Sequence, residues 1–279
     1  MSGVRHCLPR SANNLSITLA ISSNRCSAGW QEIAQLTGAG RVIFEPGAGA
    51  ATKIQLLLPA LKPLAYVPMD ISCEFLKAAA EALVEEFPWL PVHAACVDFT
   101  HSLPIPETAP AGPRLAFFPG SSIGNFTPGE AREFLALVSD RIGRDGMLLI
   151  GVDTKKDPAI LHAAYNDAAG ITAAFNPAQL QRMREQGGVE VGPGNVELLG
   201  LYNRELGRIK RHLVSRGRQT LRPDGYCFEL GEGETVHTEN SYKYAPEEFI
   251  ALSADAGLDL RHYWLGEQGL FALYLLQSR

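Results

Sequence analysis

The chain has 279 residues, 46% of them hydrophobic and 20% charged, so it is long enough for one large domain or a domain with a smaller companion and apolar enough to bury a sizeable core. Its net charge of -5 and pI near 5.8 argue against a sequence-independent grip on nucleic acid or anionic lipid, both of which need clustered Lys and Arg, and point to small ligands instead. Cys7, Cys26, Cys73, Cys96 and Cys227 are odd in number, scattered and without a CxxC pair; no disulfide framework and no metal site is expected, a reducing cytoplasm fits, and no apolar run approaches the roughly 20 residues that span a bilayer.

Residues 1–29 hold no Asp or Glu. Transit peptides share that composition, but the preferred reading is a segment not selected as part of the fold, as a displaced start or a frame shift would give. Order begins at Arg41. "RVIFEPGAGAATKIQLLLPAL" is a short apolar strand, a glycine turn with Gly47 and Gly49, then a helix-period run through Ile54, Leu57, Leu58 and Leu61. "LAYVPMDIS" is a second strand ending in Asp70, and "EFLKAAAEALVEEFP" an amphipathic helix closed by Pro88. "PVHAACVDFT" is a third strand ending in Asp98, "RLAFFPGSSIGNF" a fourth, and "TPGEAREFLALVSDRIG" a helix with Thr127 as N-cap and Pro128 at its first position. "GMLLIGVD" is a fifth strand. Strands alternating with helices imply a parallel α/β sheet that takes its ligand at the carboxyl ends of the strands.

The end of the chain breaks this alternation. "LDLRHYWLGEQGLFALYLLQSR" reads as a hairpin, two strands joined by "GEQG". A parallel sheet closed by a hairpin is the Rossmann-like methyltransferase architecture and favours S-adenosylmethionine over NAD. Between Asp153 and Leu258 lies an insertion that the sheet does not need. It has a helical part, a break at Gly187 and Gly188, and a strand pair, and it is expected to serve as a substrate lid. It also carries "GETVHTENSYKY", a strand in backbone with no apolar face. Strict alternation places Thr235, His237, Glu239, Ser241 and Lys243 on one side and Val236, Thr238, Asn240, Tyr242 and Tyr244 on the other.

The glycine turn lets backbone approach a ligand, and the following helix start offers free N–H groups. Thr52 stands where a dinucleotide fingerprint wants glycine, and Glu45 before the turn suits the ammonium of a methionine-type cofactor. Asp70 is placed to accept ribose hydroxyls and Asp98 an adenine amino group, with Phe99 beside it for stacking.

The succession "EPGAGAATK", "YVPMDIS", "FFPGSSIGNFTP", "LLIGVDTKKDPAILHAAYNDAAGITAAFN" and "ETVHTENSYKY" resembles the histidine-specific, S-adenosylmethionine-dependent Nα-methyltransferases of ergothioneine biosynthesis, from about Gln31 to the C-terminus. The resemblance implies a class I methyltransferase core at 30–157 and 246–279, an inserted α+β substrate domain at 158–245, and an atypical segment at 1–29. It implies transfer of up to three methyl groups to the α-nitrogen of L-histidine, giving hercynine; charge, cysteine usage and the lack of a long apolar run add the expectation of a cytoplasmic protein that binds neither nucleic acid nor membrane, and a monomer is expected. Gly47, Lys53, Asp70, Asp98 and Phe99 would hold the cofactor. Asn125 and Tyr165 would hold the substrate's amino and carboxylate groups and are the implied catalytic residues; Glu239 and Ser241 would hold its imidazole. Phe117, Phe126 or Tyr165 would face the cationic products. His237 offers a base that the reaction does not require. The family's usual aromatic N-terminal signature has no counterpart in residues 1–29, which leaves two alternatives: a truncated homologue that binds cofactor without turnover, and a methyltransferase for another small amine.

Overall fold

A computed structural model of the chain describes residues 27–165, 195–221 and 228–279. They form two compact units: one runs to Thr154 and resumes at Tyr244, and the other spans Lys155–Lys243.

The first unit is built on a seven-stranded sheet in the order β11 (Leu258–Leu265), β12 (Phe271–Ser278), β5 (Met147–Asp153), β4 (Arg114–Phe118), β1 (Val42–Pro46), β2 (Ala65–Asp70) and β3 (Ala95–Cys96). Its parallel strands are β1, β2, β3, β4 and β5. The central strands are near-continuous apolar runs because helices cover both faces; every residue of β1 is buried, and Ile43, Phe44, Leu115 and Leu149 have no exposed surface. Helix α1 (Ser27–Thr37) begins inside the segment set apart by composition and packs Ile33 into this core. The helical run expected after the glycine turn is a 3₁₀ turn at Ile54–Leu56 and a single α turn, α2 (Leu58–Leu61), interrupted at Leu57. Its apolar side chains are buried as their spacing predicts.

Helix α3 (Cys73–Glu86) buries Leu76 and Leu83, and α4 (Pro128–Ile142) buries Ala131, Phe134, Leu135, Val138 and Ile142, the one-sided spacing of an amphipathic helix. Thr127 caps α4 as expected: its hydroxyl oxygen accepts the Glu130 N–H at 3.4 Å, while the Glu130 carboxylate accepts the Thr127 N–H at 2.7 Å. After α6 (Pro246–Asp255) the chain enters the hairpin of β11 (Leu258–Leu265) and β12 (Phe271–Ser278), antiparallel to each other and to β5. Strand β12 is buried almost throughout because it is flanked on both edges, whereas β11 alternates as an edge strand should.

Two expectations are corrected. The third strand is only Ala95–Cys96, so Asp98 lies in the loop beyond the strand and not at its end. Cys73 and Cys96, read as unpaired, are disulfide-bonded with Cα atoms 5.2 Å apart. Their separation of 23 positions gave no signal in the sequence; parallel pairing of β2 with β3 brings them together.

The second unit holds α5 (Pro158–Tyr165), a three-stranded antiparallel sheet in the order β10-β7-β6, and a two-stranded ribbon of β8 (Gln219–Leu221) and β9 (Phe228–Leu230). Strands β6 (Val196–Asn203) and β7 (Arg208–Ser215) are the strand pair expected there, and β10 (Thr235–Tyr242) is the polar strand. The rest of the expected helical part and the break at Gly187 and Gly188 lie outside the described residues. No helix among the described residues is long and apolar enough to cross a membrane.

Candidate functional site

From β1 the chain moves to β2 and β3 on one side, then crosses to β4 on the other. The sheet order therefore reverses between β1 and β4, and loops at the carboxyl ends of those strands diverge to leave a crevice. The loop after β1 carries Gly47 and Gly49, with φ +66° and +55°. Both are in the left-handed region where a side chain is strained. At Gly47 a Cβ would also stand 3.2 Å from the Phe99 ring, so the absence of a side chain lets that ring pack close against the turn.

Beneath this turn Glu45 is 3% exposed, and its carboxylate accepts the Tyr66 hydroxyl at 2.6 Å. The acid therefore points into the protein rather than toward a ligand above the turn. Burial pushes its pKa up to about 8 against the opposing pull of the Tyr66 hydrogen bond and the Lys53 ammonium. Lys53 is depressed from the usual lysine value by desolvation, partly offset by Glu45. Its Nζ lies 3.5 Å from the position a Cβ would take on Gly120, just past β4, so this side chain spans the crevice from one loop to the other.

Asp70 ends β2, as expected. One carboxylate oxygen accepts the Gly49 N–H at 3.1 Å and the other the Ser72 N–H at 2.9 Å, which fixes its plane at the mouth of the glycine turn. Asp98 is exposed and accepts both the backbone N–H of Thr100 at 3.0 Å and its hydroxyl at 2.6 Å, with His101 at 3.2 Å. Those Thr100 bonds, ahead of the contributions of His101, hold its carboxyl below the ordinary range. Phe99 stands edge-on to Phe118 and Phe134 with ring centres 6.2 and 6.3 Å away. Cofactor candidates from three loops thus share one edge of the sheet.

Asn125 ends a 3₁₀ turn, Ser121–Asn125, beyond β4, and is exposed. The turn is held on both sides: the Ser121 hydroxyl accepts the Asp153 N–H at 3.0 Å, and Phe126 stacks on Phe134 at 5.3 Å. Phe117 is 2% exposed within the core, so it cannot present a face to a ligand. Tyr165 is the last residue of α5, and its side chain lies outside the described residues.

In the second unit the register of β10 corrects the strict alternation read from the sequence. His237 pairs with His212, but Glu239 pairs with Arg211, so Thr238 is an extra residue and the strand bulges there. Residues 239 and 241 remain on one face, with Arg211 and Ile209 opposite them, while His237 turns to the other face. There its ring lies 5.3 Å from that of His212, whose pKa is lowered by desolvation and then by the neighbouring His237 and Lys210. The bulge separates the one candidate base from the candidate substrate carboxylate.

Two partners of that face were not anticipated. Arg211 Nη1 donates to Glu239 at 2.9 Å in a partly buried ion pair, which fixes the direction of the carboxylate. Lys243, 2% exposed, donates from Nζ to the buried Ser241 hydroxyl at 2.8 Å. The Arg211 pairing had no local signal, because its register comes from the partner strand; Lys243 was visible as the next alternate position after Ser241.

A family model described as histidine-specific, S-adenosylmethionine-dependent methyltransferase matches residues 27–278. A histidine N-alpha-methyltransferase of Mycolicibacterium smegmatis is 35% identical over 251 residues, covering 88% of this chain and 77% of that one. Ergothioneine biosynthesis protein 1 of Neurospora crassa is 31% identical over 258 residues, 87% of this chain and 28% of that much longer one. Among solved structures, an S-adenosylmethionine-dependent methyltransferase from Clostridium acetobutylicum superposes with a TM-score of 0.52 at 11% identity, covering 89% of this chain and 88% of that chain, a likeness of fold.

Proposed function

The chain belongs to the histidine-specific, S-adenosylmethionine-dependent methyltransferases, and from that premise we propose that it transfers methyl groups to the α-amino nitrogen of L-histidine, up to Nα,Nα,Nα-trimethylhistidine (hercynine). The observation that carries this reading is the extent of the family match, 27–278, which takes in both the glycine-turn edge and the strand bearing Glu239 and Ser241. The Neurospora relative, named for ergothioneine biosynthesis, supports the fully methylated product.

The residues present suit the cofactor. The glycine turn at Gly47 and Gly49 would admit close backbone approach, Asp70 would accept the ribose hydroxyls, Asp98 the adenine amino group, and Phe99 would stack on the base. Lys53 would pair with the carboxylate of the methionine part. S-adenosylmethionine supplies an electrophilic methyl on a sulfonium, so no covalent nucleophile is asked of the protein.

What the chain must do is hold a neutral amine in line and keep water out. The Asn125 amide would accept from the amine without adding a charge, whereas a carboxylate there would favour the ammonium form and block the lone pair. The Tyr165 hydroxyl would fix the other end of the amino-acid group. Glu239, oriented by Arg211, would accept an imidazole N–H, and Ser241 would bond the second ring nitrogen. An aliphatic side chain would leave that carboxylate desolvated and unanswered. Each amine proton passes to water between transfers. We further propose a monomer working in the cytoplasm.

Incubating purified protein with S-adenosylmethionine and histidine should give mono-, di- and trimethylhistidine by mass spectrometry. Absence of all three at saturating cofactor would refute the proposal, and methylation of a different amine in a substrate panel would redirect it.

A further inference from the structure

The cysteine pair lies on the cofactor edge. Cys96 is the register partner of Asp70 on the neighbouring strand, and Cys73 opens α3 just beyond Asp70. Asp98 follows Cys96 in the next loop. Besides the bridge, β3 meets β2 through two register pairs, Met69 with Ala95 and Asp70 with Cys96, and the Val97 N–H bonded to the Asp70 carbonyl at 3.0 Å; upstream, Tyr66 pairs with Val92 through its N–H on the Pro91 carbonyl and its carbonyl on the His93 N–H, both at 2.9 Å. The bridge therefore joins covalently the two loops that present Asp70 and Asp98. Both cysteines are exposed, so a small reagent can reach the sulfurs.

We propose that Cys73 and Cys96 form a reversible thiol–disulfide site that sets how tightly the nucleoside end of S-adenosylmethionine is held. This rests on the reading of Asp70 and Asp98 as cofactor ligands. The co-reactant is a low-molecular-weight disulfide. One cysteine thiolate attacks a sulfur of that disulfide and expels one thiolate; the second cysteine attacks the resulting mixed disulfide and expels the other. The protein gives up two electrons and two protons, and the small disulfide becomes two thiols. The reverse exchange opens the bridge in a reducing compartment. Closed, the bridge holds both acids in register at no cost on binding. Opened, the β3 loop must be ordered by the ligand, and affinity falls by that ordering cost.

The test uses the whole protein equilibrated in oxidised or reduced glutathione, with thiols counted under denaturing conditions, the bridge mapped by peptide mass, and binding of S-adenosylhomocysteine measured by calorimetry. The oxidised protein should show the Cys73–Cys96 peptide and bind about five-fold or more tightly than the reduced one, and Cys73→Ser should bind like the reduced protein under both conditions. Failure of that peptide to form, or equal affinity in both states, overturns the proposal. Asp70→Asn separates the two layers: if it leaves binding intact, the cofactor assignment itself has failed; if it abolishes binding while the redox states bind alike, only the switch is wrong.

Discussion

Glu45 sets a pH dependence that belongs to a single residue. Its folded pKa of about 8 lies above the ordinary value of 4.5, so the folded protein keeps this proton after the unfolded chain has lost it. Stability therefore falls as pH rises from about 4.5 to 8 and is flat with respect to this group on either side, a total on the order of a few kcal/mol. Glu45→Gln keeps an acceptor for Tyr66 and removes the ionisation; its melting temperature should lose the downward slope across this window that the wild type shows. Parallel slopes would contradict the account. At the other proposed subsite, Glu239→Ala should weaken histidine binding by about 10- to 100-fold, because it removes a charged acceptor and leaves Arg211 in a partly buried place without that partner's charge. S-adenosylhomocysteine binding should be unchanged, and equal loss of both would refute the assignment. Both carboxylates were visible in the sequence as acids in unusual places. Their surroundings were not: Tyr66 lies on the neighbouring strand β2, and Arg211 is 28 positions from Glu239.

At the scale of elements, legibility followed how local the determining interaction is. The cap of α4 was readable because all of its parts lie within Thr127 to Glu130, and the structure forms both of its bonds. Thr127→Ala should lower stability by about 1 kcal/mol, with little effect on kcat; denaturant unfolding checks the first and steady-state kinetics the second, and an unchanged midpoint would show that the cap adds nothing in this context. The bulge in β10 was not readable. A strand with one oily face betrays a register slip because an apolar residue turns up on the wrong side. In "GETVHTENSYKY" both faces are polar, so the extra residue at Thr238 leaves no trace until β7 is laid beside it. The same reasoning covers β3, whose apolar run reads as one full strand but pairs with β2 at Ala95 and Cys96 and, separately, through a single bridge at Val92, an interruption that shows only once β2 is laid beside it.

At the scale of the molecule, the order of strands and helices carried the architecture. Alternation up to β5 required a parallel sheet with its crevice at the carboxyl ends, and the "GEQG" turn required an antiparallel finish. The switch point between β1 and β4 follows from that topology, and the glycine turn and the Asn125 turn both lie at its lip. Which atom is methylated was never a property of the sheet, since one fold carries many acceptors; it depends on residues at loops and on β10. The most direct measurement is therefore of the product's connectivity. Product made from S-adenosylmethionine carrying a carbon-13 methyl and histidine carrying nitrogen-15 at the α position should show a one-bond carbon–nitrogen coupling on every new methyl resonance. A methyl resonance without that coupling would place the transfer on the imidazole or the carboxylate and contradict the account.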